Sequence, residues 1–162
     1  MSLRGGIGLP ELPIKEGKEF RLGIMGGTFD PLHYGHLVTA EQARESLDLD
    51  AVLFMPAGSP AFKLDKPVTP AEDRYAMTVL ATAANPGVTY PADTLHALRD
   101  FYPPQVKLYF ITGADAIIDI VTWHDAERIA ELATFIAASR PGFDIDTARA
   151  RIKESGLPFD VR

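Results

Sequence analysis

Short apolar runs alternate along the chain with longer stretches in which apolar side chains recur at helical spacing. The apolar runs have the length of strands buried on both faces of a sheet, and they cover residues 21–25, 51–55, 106–112 and 134–138. The helical stretches cover residues 36–47, 70–84, 92–100, 115–132 with a break near Trp123, and 146–154. This order predicts a three-layer α/β fold, in which helices cover both faces of a mainly parallel sheet.

The start of the second of these helices has a strong local signal. Thr69 is expected to cap the helix, Pro70 suits the first helical position, and Glu72 lies three residues after the cap, where it closes a capping box. The helix is expected to end near Ala84, because an asparagine, a proline and a glycine follow.

The composition fits one compact domain. Hydrophobic residues make up 46% of the 162 residues, which is enough to bury a core. The stretch from Met1 to Gly17 is rich in glycine and proline, so residues 1–19 are predicted to be a disordered leader and residues 20–162 a single domain. No apolar run is long enough to cross a bilayer, and the start has no signal-peptide pattern. A cytoplasmic protein without a membrane partner is expected.

Charge and cysteine content narrow the kinds of ligand. The chain has no cysteine, so disulfides and thiolate metal sites are excluded. Its net charge of −6 disfavours nucleic-acid binding, because phosphate backbones need clustered cations. A nucleotide substrate is still compatible with this charge, since a pocket of amides and a few basic side chains is enough to hold one.

The most informative segment is the loop after the first strand, with the sequence GGTFDPLHYGH at residues 26–36. Gly26 and Gly27 are expected to let the backbone approach a ligand, and the helix that follows presents free amides and its positive dipole end to phosphate. His33 and His36 are three residues apart and therefore can face one pocket at the start of this helix. Zinc held by both histidines and Asp30 is the competing interpretation, but the glycine pair and the strand-to-helix setting favour phosphate.

This segment resembles the nucleotidyltransferase family that carries the motif GxFDxxHxGH and has a Rossmann-like fold. The resemblance implies that His33 and His36 are catalytic. It also implies that the rest of the loop binds ATP, through Gly26, Gly27, Thr28, Phe29 and Gly35.

Four further segments resemble one branch of that family, the nicotinate-nucleotide adenylyltransferases. They are Lys63 followed by an RxxM at Arg74, the segment TYPADTL at 89–95, the segment GAD at 113–115 with a tryptophan eight residues later, and the turn SRPG at 139–142. The resemblance implies further ATP-binding residues, namely Lys63, Gly113, Asp115, Arg140 and Arg162. It implies a nicotinate-nucleotide site formed by Arg74, Thr89, Tyr90, Thr94, Trp123 and His124.

The chain departs from the family pattern in three places. Pro91 replaces a threonine and removes an amide donor near the nicotinate site. Relatives carry roughly a dozen more residues between Val88 and Thr89, and a final ISSTxIR motif that helps to bind the ATP phosphates. One hypothesis is that the printed sequence omits such segments, which makes Arg162 the phosphate-binding arginine of the final motif. The other is a shortened protein that binds ATP weakly.

The resemblance implies adenylyl transfer from ATP to nicotinate mononucleotide, with Mg²⁺ bound to ATP and no metal site of the protein's own. A homo-oligomer is compatible with the sequence. Two alternatives stay open, an adenylyltransferase for another phosphate acceptor (phosphopantetheine or nicotinamide mononucleotide) and an inactive nucleotide-binding sensor. Retention of both histidines argues against the sensor.

Overall fold

A parallel sheet is the centre of the fold. The computed structural model describes residues 9–58, 67–83, 88–89, 95–122, 126–138 and 145–160. The strands in these ranges are β1 (Phe20–Gly27), β2 (Ala51–Pro56), β3 (Val88–Thr89), β4 (Val106–Gly113) and β5 (Thr134–Ala138). The helices are α1 (Tyr34–Ser46), α2 (Ala71–Thr82), α3 (Leu95–Phe101), α4 (Ala114–Asp119), α5 (Ala126–Leu132) and α6 (Ile145–Ser155), with a 3₁₀ turn at Ile120–Thr122.

The strand order in the sheet is β3-β2-β1-β4-β5, and every pairing is parallel. The chain therefore builds outward from β1 to β3 on one side, then returns to the centre and builds outward again through β4 and β5. The order reverses between β1 and β4. In open parallel sheets ligands bind beyond the carboxyl ends of the strands at such a reversal point. The topology thus places a ligand site where Gly27 ends β1 and Gly113 ends β4.

Two apolar cores lie on opposite faces of the sheet. Alternate residues of each central strand enter different cores: Ile24 and Leu53 belong to one, while Met25 and Phe54 belong to the other. Both faces are therefore covered, which explains why these strands are continuous apolar runs in the sequence. The predicted three-layer α/β fold with a parallel sheet is confirmed.

The segment before β1 differs from the prediction of a disordered leader. Leu9, Leu12 and Ile14 pack against the first core. The hydroxyl of Tyr102 donates a hydrogen bond to the carbonyl of Pro10 over 2.8 Å, although 92 residues separate them. The prediction is wrong for residues 9–14, because three apolar side chains among the prolines find a place on the core. Residues 1–8 lie outside the described ranges.

The start of α2 also differs from the sequence expectation. Its N-cap is Pro70, without a side-chain hydrogen bond, so the predicted capping box around Thr69 is not formed. Both backbone groups of Thr69 have other partners. Its N–H donates to Oδ2 of Asp30 over 2.9 Å, and its carbonyl accepts from Nε of Arg74 over 2.8 Å. Thr69 therefore connects α2 to the loop after β1.

A two-residue strand, β3, was not predicted. Val88 pairs with Val52 and Thr89 pairs with Leu53, so the two residues lie in consecutive register at the edge of the sheet. This pairing gives no support to the hypothesis that a segment is omitted between them. None of the helices in the described parts of the chain is long and apolar enough to cross a membrane.

Candidate active site

The loop predicted to bind phosphate lies at the reversal point of the sheet. It leaves the carboxyl end of β1 at Gly27 and enters α1 at Tyr34. Phe29 has a φ of 48°, in the left-handed region that bulky residues rarely adopt, and its side chain is only 2% exposed. Burial of the ring therefore stabilises a strained turn, as is common where a loop is held for function.

The two histidines of this loop are in contact. Their rings stack with centroids 3.9 Å apart and an angle of 28° between the planes. His33 is the N-cap residue of α1, and the backbone N–H of His36 donates to its carbonyl over 2.9 Å. In return, the backbone N–H of His33 donates to Nδ1 of His36 over 3.2 Å. The structure thus brings together the two side chains that the sequence singled out.

This arrangement selects the tautomer of His36. Because Nδ1 accepts a hydrogen bond from a backbone N–H, a neutral His36 carries its proton on Nε2. The ring is further held by Phe29, whose plane is at 88° to it with centroids 5.1 Å apart. His36 is half-buried while His33 is exposed. The hydrogen bond at Nδ1 and the contact with Phe29 therefore hold the ring of His36 in one orientation.

The first turn of α1 is suited to an anion. It contains no acidic side chain, and amides at a helix N-terminus point toward any ligand placed there. Gly35 keeps this turn open, since a Cβ at its position meets Cε1 of His33 at 3.0 Å and Nδ1 at 3.1 Å. A side chain there requires the ring of His33 to shift by a few tenths of an ångström.

The glycines at the end of β1 are also required for packing within the protein. A Cβ at Gly26 lies 2.5 Å from Cζ of Phe110, and a Cβ at Gly27 lies 2.7 Å from Cε1 of Phe29. Both distances are too short for real atoms. The two positions therefore need glycine to make room for aromatic rings of the protein itself, a sufficient reason apart from any ligand.

Arg74 does not occupy the position expected of a nucleotide-binding residue. It is only 1% exposed, and its guanidinium donates to four backbone carbonyls, those of Thr69, Thr28, Ala57 and Gly58, over 2.7–3.0 Å. Direct contact with the nicotinate nucleotide, as the resemblance implied, does not fit this burial. The RxxM pattern alone does not distinguish a buried arginine from an exposed one.

Asp30 joins the loop to α2 rather than forming part of a metal cluster. Its Oδ2 accepts from the N–H of Thr69, and Nδ1 of His36 already accepts from a backbone N–H. No group of three or more His, Cys, Asp or Glu residues in the described ranges is placed to hold a metal ion. The zinc interpretation of this loop thus lacks the ligand set that it needs.

Other predicted site residues divide into two groups. Gly113 ends β4 and is the N-cap of α4, Asp115 follows within α4, and Thr89 ends β3, so all three backbone positions lie at or just beyond the carboxyl edge of the sheet. The remaining predicted residues lie outside the described residues, and they are Lys63, Tyr90, Thr94, Trp123, His124, Arg140 and Arg162.

Comparison with known proteins identifies the family of this chain. The cytidylyltransferase-like family matches residues 24–156. A probable nicotinate-nucleotide adenylyltransferase of Moorella thermoacetica is 52% identical over 156 residues, which cover 88% of this chain and 70% of that protein. The chain belongs to the nicotinate-nucleotide adenylyltransferase family. The predicted family and the predicted class of enzyme, a nucleotidyltransferase, are confirmed by this relationship.

The chain spans only part of the length of its relatives in this family. It spans 70% of the Moorella protein and 63% of a probable nicotinate-nucleotide adenylyltransferase of Corynebacterium glutamicum, which is 51% identical over 138 residues and 78% of this chain. The alignment with the Moorella protein is 156 positions long but covers only 88% of the 162 residues of this chain. That relative therefore has residues inside the aligned region that this chain lacks.

Solved structures confirm the fold of this chain. The nicotinic acid mononucleotide adenylyltransferase of Plasmodium falciparum, solved in complex with NaAD, superimposes with a TM-score of 0.68. The superposition covers 89% of this chain and 74% of that one at 21% identity. At this identity the likeness supports the α/β architecture alone.

Proposed function

We propose that this chain joins the AMP part of ATP to nicotinate mononucleotide and releases pyrophosphate, forming nicotinate adenine dinucleotide. The observation that carries the proposal is the stacked pair His33 and His36, held at the start of α1 where the strand order reverses. About half of the aligned residues are identical to those of relatives named for this activity, which supports the choice of acceptor.

The reaction needs alignment more than proton transfer. An oxygen of the 5′-phosphate of nicotinate mononucleotide attacks the α-phosphorus of ATP, and the bond from that phosphorus to the pyrophosphate oxygen breaks in line with the attack. The electron pair leaves on pyrophosphate. Since the attacking phosphate is already an anion, no general base is required, and catalysis depends on positioning and on stabilising developing charge.

His36 is the proposed donor to the α-phosphate. Its Nε2–H is fixed by the hydrogen bond at Nδ1, so the donor needs no reorganisation when negative charge develops on the transferring group. His33, whose exposed ring stacks on that of His36, is proposed to contact the oxygen that bridges the α-phosphate and pyrophosphate. The amides of Thr28 and Phe29 and the first turn of α1 support the phosphates.

The remaining assignments follow the family resemblance. Lys63, Arg140 and Arg162 are proposed to contact the phosphates of ATP, and Gly113 and Asp115 its ribose. Trp123 is proposed to stack on the pyridine ring, because aromatic faces suit flat heterocycles. Thr89, Tyr90, Thr94 and His124 complete the proposed acceptor site.

Mg²⁺ is proposed to arrive with ATP. The described residues fit an ion held by phosphates and water, because the only carboxylate in the phosphate loop, that of Asp30, accepts a backbone hydrogen bond. Mg²⁺ usually keeps several waters and needs few protein ligands when a triphosphate is present. The ion would neutralise charge on the triphosphate, while the loop and the histidines orient it.

Pyrophosphate release with a panel of acceptors tests this function. With ATP and Mg²⁺, we expect nicotinate mononucleotide to give the highest kcat/KM, and nicotinamide mononucleotide and phosphopantetheine much lower values. A higher value for either of the other acceptors would assign the enzyme to that substrate. Binding of ATP by calorimetry without turnover on any acceptor would identify the chain as a nucleotide sensor.

A further inference from the structure

We propose that Arg74 is a positioning residue for adenylyl transfer, which holds the phosphate-binding loop in its working conformation without touching either substrate. This inference rests on the proposed function, since the loop it holds is the proposed site of the α-phosphate. The resemblance to relatives suggested a direct contact with the nucleotide instead. The geometry points to a role inside the protein.

Three segments meet at the Arg74 guanidinium. Nη1 donates to the carbonyl of Thr28, in the loop after β1, over 2.8 Å, and to that of Ala57, just after β2, over 2.7 Å. Nη2 donates to the carbonyl of Gly58 over 3.0 Å, and Nε to that of Thr69, before α2, over 2.8 Å. One planar group thus fixes the ends of two central strands relative to α2, which a flexible ammonium cannot do with the same geometry.

The bond to Thr28 sets the direction of a backbone donor. The peptide bond between Thr28 and Phe29 is trans, because the cis bond in the described chain is that of Asp30-Pro31. In a trans peptide the carbonyl and the following N–H point in opposite directions. Anchoring the Thr28 carbonyl on Arg74 therefore directs the Phe29 N–H away from the guanidinium, and that N–H is one of the proposed phosphate donors.

The positive charge of Arg74 also contributes to the electrostatic potential at this position. Its partners among the described residues are carbonyl oxygens and no carboxylate, so its positive charge is dispersed over dipoles but not cancelled. A buried charge is expensive unless it is hydrogen-bonded, and four of the five N–H groups of this guanidinium donate hydrogen bonds to carbonyls. The net positive charge lies beside the carboxyl ends of β1 and β2, where a triphosphate carries the opposite sign.

A matched control exists in the same chain. Arg99 donates to the carbonyls of Val106, Tyr102 and Pro103 over 2.7–3.1 Å, and so has the same chemistry at the amino end of β4, the opposite edge of the sheet. Replacing each arginine by lysine preserves the charge and removes the fork of donors. A general effect on stability from losing hydrogen bonds between an arginine and backbone carbonyls then appears in both variants. An effect on the phosphate-binding loop appears only in Arg74→Lys.

The test compares Arg74→Lys, Arg74→Met and Arg99→Lys with the wild type. We expect Arg74→Lys to lower kcat by about 10- to 100-fold, as small displacements of reacting groups do, and to leave the KM for nicotinate mononucleotide within about threefold. Arg74→Met, which also loses the charge, is expected to be lower still. Arg99→Lys is expected to keep kcat close to the wild-type value at a similar urea midpoint.

Three kinetic outcomes in the arginine variants overturn the proposal. A KM for nicotinate mononucleotide raised about tenfold with kcat retained means that Arg74 binds the nucleotide directly. Unchanged kinetics in Arg74→Lys mean that the loop does not depend on it, and equal losses of kcat in Arg74→Lys and Arg99→Lys mean that its role is general stability. If Arg74 variants do not fold, Asp30→Ala is the alternative variant. It removes the hydrogen bond from the Thr69 N–H to Asp30, and with it a second link between the loop after β1 and the start of α2. Its kcat must then fall at constant KM, and an unchanged kcat overturns the proposal.

A separate measurement distinguishes failure of this inference from failure of the proposed function. Hydrogen exchange of the amides in residues 27–30 reports the loop directly and needs no turnover. We expect faster exchange there in Arg74→Lys than in Arg99→Lys. If the wild type releases no pyrophosphate with any acceptor, the function is wrong, and the exchange result alone decides the role of Arg74. Equal exchange in the two variants overturns that role.

Discussion

The backbone N–H of His33 donates a hydrogen bond to Nδ1 of His36, 3.2 Å away. This bond connects helix formation with catalysis, because the same side chain that caps α1 through Nδ1 is the proposed phosphate donor through Nε2. The two functions use different atoms of one ring. Substitutions that replace only one of these atoms therefore separate them.

Replacement of His36 by asparagine is expected to remove activity and retain the cap. The Oδ1 atom of asparagine lies at the position of Nδ1 and still accepts from the His33 N–H, but nothing replaces the Nε2–H donor. We expect kcat to fall about 100-fold or more, as for loss of a single oxyanion donor. We expect His36→Ala to lower kcat as much as His36→Asn does. In addition, we expect the alanine variant to be about 1 kcal/mol less stable, because the cap is missing.

Steady-state kinetics with ATP and nicotinate mononucleotide, and urea unfolding of both variants, check these values. Turnover of His36→Asn close to that of the wild type contradicts the donor role. Equal stability of the alanine and asparagine variants contradicts the capping role and leaves the donor role intact.

Gly26→Ala is expected to destabilise the protein by about 1–3 kcal/mol, because its Cβ overlaps the ring of Phe110 in a close-packed core. Gly58→Ala is the matched control, since a Cβ at Gly58 meets nothing within 4 Å. The free energy of unfolding of this second variant should stay within about 0.5 kcal/mol of the wild type. Equal urea midpoints for the two variants would show that β1 shifts to accept the methyl group.

The sequence predicted the fold well because its signals are periodic. Four strands were found within two residues of their observed bounds, since buried parallel strands are continuous apolar runs. The fifth strand, Val88–Thr89, has only two residues and is set by pairing with β2, which leaves no pattern in the sequence. Leu9, Leu12 and Ile14 were overlooked because the glycines and prolines around them dominate the local composition.

The candidate site was predicted in part for a similar reason. His33 and His36 were recognisable because a separation of three residues at the start of a helix brings two side chains close together. The partners of Thr69 and Arg74 were not predicted, because they are backbone carbonyls and a carboxylate distant in sequence. Backbone carbonyls occur at every residue, so no residue type in the sequence marks which of them a buried guanidinium will bind.

Because of Tyr102, the free energy of unfolding is expected to fall as the pH rises in the alkaline range. Burial raises the pKa of the Tyr102 hydroxyl from 10.0 to about 12, and the hydroxyl donates to the carbonyl of Pro10. Between pH 10 and 12 the unfolded chain has therefore lost this proton while the folded chain keeps it, so stability falls as pH rises through this interval. A difference of two pKa units corresponds to a total loss of about 2–3 kcal/mol.

Tyr102→Phe isolates this effect, since it leaves the ring and removes the titrating group. We expect the variant to be less stable than the wild type at neutral pH by about 1 kcal/mol, because one hydrogen bond is lost. Its unfolding free energy should decline less steeply above pH 10. Parallel declines of the two proteins, measured by urea unfolding across this range, contradict the prediction.

Trp123→Ala tests the proposed stacking on the pyridine ring. We expect it to raise the KM for nicotinate mononucleotide by about tenfold, in the range that loss of one aromatic contact gives, while the KM for ATP changes little. Initial rates with each substrate varied separately supply both values. An increase confined to the KM for ATP contradicts the stacking role and moves Trp123 to the adenosine side of the site.

Phe29 lies between the half-buried histidine and the core beneath the sheet edge. Its ring contacts His36 on one side, with centroids 5.1 Å apart, and Phe54 of β2 on the other, with centroids 5.3 Å apart. A change of volume at Phe54 is therefore transmitted to the imidazole through a single intervening ring. The requirement for turnover should therefore limit which residues are tolerated at position 54, although this buried side chain does not contact a substrate.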